Sequence, residues 1–247
     1  KNMGVISHNK LITMAKGKYV HVLHSDDAVY PTFIEECVRL MENNPNVGFT
    51  VTEREEIDEN GNLLEPVPPF YNTSCIIPGA SQKSVLTMAS YYVPSQTVIK
   101  REILERVGLY DMTYFMDWWM LYSCSCISDM GCINKVLCKY RVWSRNDSSY
   151  MTRNLLMPVC GFLIRQSFFN FARFENEQAI LDRHDAAIYK QADLTLKLST
   201  QAIRAGLLDV GKRYLYLALS QNEDIHKSEL YKAIDEYLSM PNVSGYD

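Results

Sequence analysis

The sequence lacks a long apolar run. No stretch of its 247 residues approaches the roughly 18 consecutive apolar residues that a membrane-spanning helix needs. The first residues also lack the apolar core of a secretory signal peptide. We therefore expect a soluble protein without a transmembrane segment. Its expected location is the cytoplasm, with peripheral attachment at the inner membrane face as an open alternative.

An excess of basic residues is also missing. The chain has 25 Lys and Arg against 29 Asp and Glu, for a formal net charge of -4 at pH 7. A protein that binds a nucleic-acid backbone usually carries a basic surface, so we expect no nucleic-acid partner. Any affinity for phosphate groups has to come from a local site.

Cysteine is present without the spacing of a disulfide framework. Seven cysteines are an odd number, and those at 124, 126, 132 and 138 lack the paired two-residue gaps of zinc ribbons. This usage fits a protein kept in a reducing compartment. We expect free thiols that pack as small hydrophobic groups.

The first part of the chain alternates between helix and strand patterns. Apolar residues at helical or alternating spacing, with Gly and Pro at the breaks, delimit each element. Helices are predicted at 5–14, 32–43, 81–89, 100–107 and 117–128; strands are predicted at 19–23, 47–57, 92–99 and 133–142, and 66–78 is a predicted loop. Such alternation predicts an α/β fold with a layered sheet and flanking helices.

After Asn146 the composition changes and only helix patterns follow. Helices are predicted at 155–174, 178–203, 210–219 and 224–238. The sequence therefore predicts an α/β domain over 1–150 and an all-α region over 151–247. This helical tail could cover an acceptor, form a homo-oligomer or meet a membrane surface, and its residues favour none of the three.

Two neighbouring acids, Asp26 and Asp27, follow the predicted strand 19–23. Adjacent buried carboxylates are costly unless a cation offsets their charge, and Mg2+ or Mn2+ prefers such oxygen ligands. In open α/β sheets, ligands bind at the carboxyl ends of strands. Acids before a helix also serve as caps, so the pair by itself leaves a metal site and a helix cap both open.

The surrounding pattern resembles the family 2 glycosyltransferases from the first residue to about residue 150. The matching residues are Asn2, Gly4, Asn9, Ala15, Gly17, Tyr19 to Leu23, Ser25, Asp26, Asp27 and Pro31, then Val98 to Glu102, Val107 to Asp111, and Met116, Asp117 and Trp118. The resemblance implies a GT-A fold. It also implies that the first strands of such a domain, which carry base-recognition acids, are absent from this sequence.

The resemblance implies a hexosyltransferase that moves a sugar from a nucleotide diphosphate donor to a hydroxyl group with inversion. It implies Mn2+ or Mg2+ held by Asp27, a donor bound by Asp26, Asn9 and Ser25, and Asp117 as general base. The expected donor is a UDP-sugar. The expected acceptor is a glycan, a lipid-linked group or a protein, as in polysaccharide biosynthesis.

Three departures from the family pattern favour other interpretations. His24 and Met116 stand where acids are frequent, and Trp143 follows Tyr140–Val142 where the family continues to a His that can reach the metal. No His ligand is therefore assigned. The alternative is a catalytically inactive scaffold or binding domain. A nucleotidyltransferase is a third class, but the Gly-rich basic loop typical of it is not seen.

Two candidate residues also have simpler interpretations. Asp117 precedes an apolar helical run, so it fits an N-cap as well as a base. Trp143 could stack on a sugar, although packing in the core is the commoner role of an aromatic side chain.

Overall fold

The computed structural model describes residues 5–109, 115–144 and 146–240. The chain divides into two compact units, Lys1–Asn146 and Asp147–Asp247. Asn2, Gly4 and Asp111, which the resemblance includes, lie outside the described residues.

The first unit consists of helices and strands in alternation. In chain order these are α1 (Val5–Met14), β1 (Tyr19–His21), β2 (Ala28–Val29), α2 (Phe33–Asn43), β3 (Val47–Ile57), β4 (Cys75–Ile77), α3 (Gly79–Met88), a 3₁₀ turn (Pro94–Gln96), β5 (Thr97–Lys100), α4 (Arg101–Val107), α5 (Met116–Ser125) and β6 (Asp129–Arg141). Helix α1 and strand β3 have the bounds that the sequence predicted.

The six strands found among the described residues form one mixed sheet in the order β1-β5-β3-β6-β2, with β4 paired to β6. The two longest strands, β3 and β6, run parallel, from Val47 opposite Asp129 to Ile57 opposite Arg141. The described pairs β1–β5, β3–β5, β2–β6 and β4–β6 are antiparallel. The carboxyl ends of β3 and β6 therefore meet at one edge of the sheet.

Helix α2 packs one apolar face onto the sheet. Phe33, Cys37 and Met41 recur at four-residue spacing, which places them on one side of the helix, and each is at most 1% exposed. They form a core cluster with Val98 and Leu137 among others. This packing fixes the start of α2, and with it the loop that leads there from β1.

The structure corrects two predicted elements of the first unit. The strand predicted at 92–99 starts only at Thr97, because Pro94 opens the 3₁₀ turn. Proline supplies no backbone N–H to a strand ladder, so the turn replaces the strand there. The predicted loop 66–78 contains β4, whose residues pair with β6.

The described part of the second unit contains helices and no strand. These are α6 (Asp147–Arg153), α7 (Leu156–Phe174), α8 (Gln178–Leu181), α9 (His184–Arg204), α10 (Leu208–Gln221), a 3₁₀ turn (Glu223–Lys227) and α11 (Glu229–Ser239). Helix α6 was not predicted, and the helix predicted at 178–203 is interrupted at Asp182 and Arg183. Gly206, at φ +76°, follows the end of α9.

The predicted fold class, a layered α/β sheet followed by an all-α region, is confirmed. In the second unit, Ala192 and Leu196 of α9 pack with Leu215 and Ala218 of α10. Among the described residues, none of the helices combines the length and the apolar character that a bilayer crossing requires.

Candidate active site

The carboxylate of Asp27 is held in place from two directions. It lies in the turn between β1 and β2, and its side chain is 1% exposed. Its Oδ1 accepts the backbone N–H of Arg141 at 2.9 Å, and its Oδ2 accepts the hydroxyl of Ser95 at 2.6 Å. The residue at the N-cap of α2 is Thr32. The helix-cap interpretation of the acidic pair is therefore wrong for Asp27.

Asp26 lies beside Asp27 and is partly exposed. Its Oδ2 accepts the indole N–H of Trp143 at 3.1 Å. Ser25, the other donor-binding candidate on this loop, is exposed. The sequence left open whether Trp143 stacks on a sugar or packs in the core. In the structure, its indole N–H instead contacts the acidic loop.

Arg141, at the end of β6, fastens the loop to the sheet edge. Its Nε–H donates to the carbonyl of Asp26 at 2.9 Å, and its Nη1 donates to the carbonyls of Asp58 and Glu59 at 2.7 and 3.2 Å. Together with the backbone contact to Asp27, these bonds join the acidic loop to the turn after β3. The loop is therefore fixed at the edge where β3 and β6 end.

Helix α1 also reaches the acidic loop. The rings of His8 and His24 contact each other edge to face, with centroids 5.7 Å apart. Asn9, the donor-binding candidate from α1, follows His8 and is partly buried. The structure therefore brings the helix that carries Asn9 beside the loop that carries Asp26 and Asp27.

Three side chains of the loop could hold a metal ion together. His24, Asp26 and Asp27 each offer one ligand atom, and these atoms all lie within 4.8 Å of one another. Each carboxylate oxygen has two lone-pair sites, so one hydrogen bond leaves it able to bind a cation. Two carboxylates and an imidazole suit a divalent ion. The residues present therefore fit the predicted metal.

Asp117 lies in the first turn of α5, where Phe115 takes the N-cap position. Burial raises the pKa of its carboxyl above the usual 3.8, against the opposing effects of the backbone N–H groups of Trp118 and Asp117 and of the charge on His24. Its interaction with His24 places Asp117 within electrostatic range of the acidic loop. It also lines a small cavity with Pro94, the neighbour of Ser95.

A larger cavity, of about 540 Å³, lies at the opposite edge of the sheet. Its lining includes Asn46, Gly48 and Asp129, where β3 and β6 begin. The candidate site instead lies where these parallel strands end, as ligand sites in open α/β sheets usually do. The acidic loop is therefore separate from this cavity.

Sequence reasoning gave no role to Ser95, Arg141 or His24 at the site. Ser95 is fully buried and lies 68 residues from Asp27, and no pattern in the sequence connects them. Arg141 and Trp143 could have been suspected from the Tyr140–Val142 segment of the resemblance. His24, which the sequence marked only as a departure from the family pattern, has its Nδ1 4.0 Å from Oδ2 of Asp27.

Known proteins share sequence similarity with the first part of the chain. Residues 3–108 match the model of the glycosyl transferase family 2. An uncharacterized glycosyltransferase of Methanocaldococcus jannaschii is 28% identical over 150 residues, which cover 60% of this chain and 49% of the relative. The chain thus spans about half the length of that curated relative.

A solved structure also resembles the chain. The crystal structure of S. aureus TarS has a TM-score of 0.46 and 14% sequence identity, covering 93% of this chain and 42% of that one. The family match includes Asn9, Ser25, Asp26 and Asp27 and ends before Asp117. Residues 3–108 of this chain are therefore similar to glycosyl transferase family 2.

Proposed function

We propose that the chain is the catalytic part of a metal-dependent, inverting glycosyltransferase that moves a hexosyl group from a UDP-sugar to a hydroxyl acceptor. One observation carries the proposal. A segment similar to family 2 brings the ligand atoms of His24, Asp26 and Asp27 within 4.8 Å of one another. This group would supply the cation site, and Asp117, on which His24 acts electrostatically, is proposed as the base.

Asp27 and its neighbours would hold Mn2+ or Mg2+, which offsets the charge on a departing diphosphate when bound. Asp26, Ser25 and Asn9 are proposed to bind the donor. The partly exposed Asp26 and the exposed Ser25 can meet a ligand from solvent.

Asp117 is proposed as the general base. An acceptor hydroxyl must lose its proton as its oxygen attacks the anomeric carbon, and a carboxylate within hydrogen-bond reach can accept that proton. Burial raises the pKa of Asp117, which makes its carboxylate a stronger base than an exposed Asp. Displacement in a single step with one base inverts the anomeric centre.

UDP should stabilise the protein only when Mn2+ or Mg2+ is present. At a ligand concentration of 100 times Kd, binding adds about 2.7 kcal/mol to the free energy of unfolding. For a chain of this length each kcal/mol raises Tm by about 2 to 4 °C. Thermal melting with UDP alone, metal alone and both together measures the effect.

The Asp27→Ala variant should lose this ligand-induced shift in Tm, because it lacks the carboxylate that holds the cation. Asp185→Ala is the matched control, since the Asp185 side chain is fully exposed in the second unit. It should keep the full shift. A wild-type Tm that UDP and metal together leave unchanged would contradict the proposal.

The second candidate function is an inactive scaffold of the same family. Trp143 stands where the family pattern continues to a His that can reach the metal, and its indole N–H donates to Oδ2 of Asp26 instead, a departure that favours a site without catalysis. Incubation of the protein with a UDP-sugar and Mn2+ separates the two functions. Slow hydrolysis of the donor, absent in Asp27→Ala, would exclude the scaffold.

A further inference from the structure

We propose that His24 is a direct ligand of the cation and that its imidazole makes the site prefer Mn2+ to Mg2+. The proposal rests on the proposed function, since it concerns the same metal site. It adds a metal ligand that the family resemblance did not assign, and this ligand determines which cation the site prefers.

The backbone of His24 is fixed on both sides. Its N–H donates to the Ser95 hydroxyl at 3.2 Å, and its carbonyl accepts the N–H of Asp27 at 3.2 Å. Ser95 in turn donates to Oδ2 of Asp27. The same buried serine therefore positions both the imidazole-bearing residue and the carboxylate next to it.

The ring of His24 has a nitrogen available for a ligand bond. Its Nε2 is buried and has no hydrogen-bond partner among the described residues, and its Nδ1 lies 4.0 Å from Oδ2 of Asp27. A buried polar atom without a partner is unfavourable, because it has lost its contact with water. A bound cation would remove that cost.

Trp143 contacts the acidic loop but supplies no metal ligand. An indole N–H is a donor only, so Trp143 cannot bind a cation. It donates one hydrogen bond to Oδ2 of Asp26, which leaves lone pairs of that carboxylate for a cation. In the group formed by His24, Asp26 and Asp27, nitrogen ligation can come only from His24.

A nitrogen ligand changes which metal the site prefers. Mg2+ binds oxygen ligands almost exclusively and keeps much of its water, whereas first-row transition metals accept imidazole readily. A site of two carboxylates and one imidazole should therefore favour Mn2+ over Mg2+. Replacing the imidazole by a third carboxylate should shift the preference toward Mg2+.

The experiment measures metal binding to the full chain without nucleotide or turnover. Binding of Mn2+ is followed by the loss of the electron paramagnetic resonance signal of the free ion, alone and in competition with Mg2+. The wild type is compared with His24→Asp, His24→Asn and Asp27→Asn. His184→Asn is the control, since His184 pairs with the exposed Asp185 in the second unit.

His24→Asp should lower the preference for Mn2+ over Mg2+ by about tenfold or more, because residues that only support a metal ligand already affect affinity by about 10- to 100-fold. His24→Asn should weaken Mn2+ binding by a similar factor. Pulsed resonance on bound Mn2+ should show a directly bonded ¹⁴N nucleus in the wild type and in His184→Asn, and none in either His24 variant.

Two outcomes overturn the proposal. One is that both His24 variants keep the affinity of the wild type for Mn2+ and its discrimination against Mg2+. The other is a wild type that binds no Mn2+ or shows no ¹⁴N coupling. The Asp27→Asn variant tests the proposed function separately. If this variant binds Mn2+ and Mg2+ as tightly as the wild type, Asp27 is not a metal ligand, whatever the His24 variants do.

Discussion

Replacing Asp117 by Asn should lower kcat by about 100- to 10,000-fold, which is the usual contribution of a positioned general base. Asn has nearly the shape of Asp but cannot accept a proton from the acceptor hydroxyl. The measurement is turnover of a UDP-sugar with Mn2+ on an acceptor. UDP binding, followed by its effect on Tm, should stay unchanged, because Asp117 does not belong to the metal-binding group.

The matched control for this loss is Asp185→Asn, which changes a fully exposed carboxyl in the second unit and should keep wild-type turnover. The Tm of Asp117→Asn at neutral pH should equal or exceed that of the wild type. The reason is that the substitution removes a charge whose ionised form burial disfavours. Wild-type turnover by Asp117→Asn would remove Asp117 from the mechanism.

The pH dependence of kcat should reflect the ionisation of the Asp117 carboxyl. Burial raises the pKa of Asp117 above 3.8, so the carboxylate becomes protonated at a higher pH than an ordinary Asp as the solution is acidified. The acidic limb of kcat should therefore lie above pH 3.8 and be absent from the residual activity of Asp117→Asn. If the acidic limb of kcat is unchanged in Asp117→Asn, that limb belongs to another titratable group.

The raised pKa of Asp117 also determines how the free energy of unfolding depends on pH. An Asp whose pKa is higher in the folded state binds more protons folded than unfolded, so the free energy of unfolding falls as pH rises from 3.8 through the raised pKa. Below pH 3.8 the effect vanishes. Unfolding of Asp117→Asn should lack this part of the pH dependence.

Phe33→Ala should lower the free energy of unfolding by about 3 to 5 kcal/mol, the usual range for a buried phenylalanine. Phe33 is fully buried at the start of α2, and the ring of His21 from β1 contacts it with centroids 4.7 Å apart. Its loss would leave a cavity beneath the segment that leads from the acidic loop into α2. The measurement is Tm of the full chain.

Ile34→Ala is the control for Phe33→Ala. Ile34 is the next residue of the same helix and is 47% exposed, so its replacement should change stability by no more than about 0.5 kcal/mol. Equal losses of Tm in the two variants would contradict the packing described for α2. Metal binding should weaken in Phe33→Ala at temperatures near its Tm, because the acidic loop then loses its support.

The sequence predicted those elements whose cause is local. The bounds of helix α1 and strand β3 agree with the prediction, because the apolar residues of each element and the breaks that delimit it are neighbours in the sequence. Strand β4 has only three residues, so its spacing gave no signal. It is a strand because β6 supplies its hydrogen-bond partners.

At the candidate site too, features that depend on neighbouring residues were predicted, and contacts between distant residues were not. Asp26 and Asp27 were found from the sequence because they are neighbours at the end of a strand, and the family pattern surrounds them. Ser95 could not be found, because its role depends on a contact with a residue 68 positions away. The proximity of the His24 ring to Asp27 depends on the fold of the loop and has no signal in the sequence.

The sequence by itself determined the fold class, the helical second part and the acidic pair, because periodicity and neighbouring residues are local properties of the chain. Only the tertiary structure decided what surrounds that pair. Arg141 and Trp143 reach it from the end of β6, and Asp117 comes within range of His24 through the packing of α5. Such contacts join residues about 90 or more positions apart, and no local spacing encodes them.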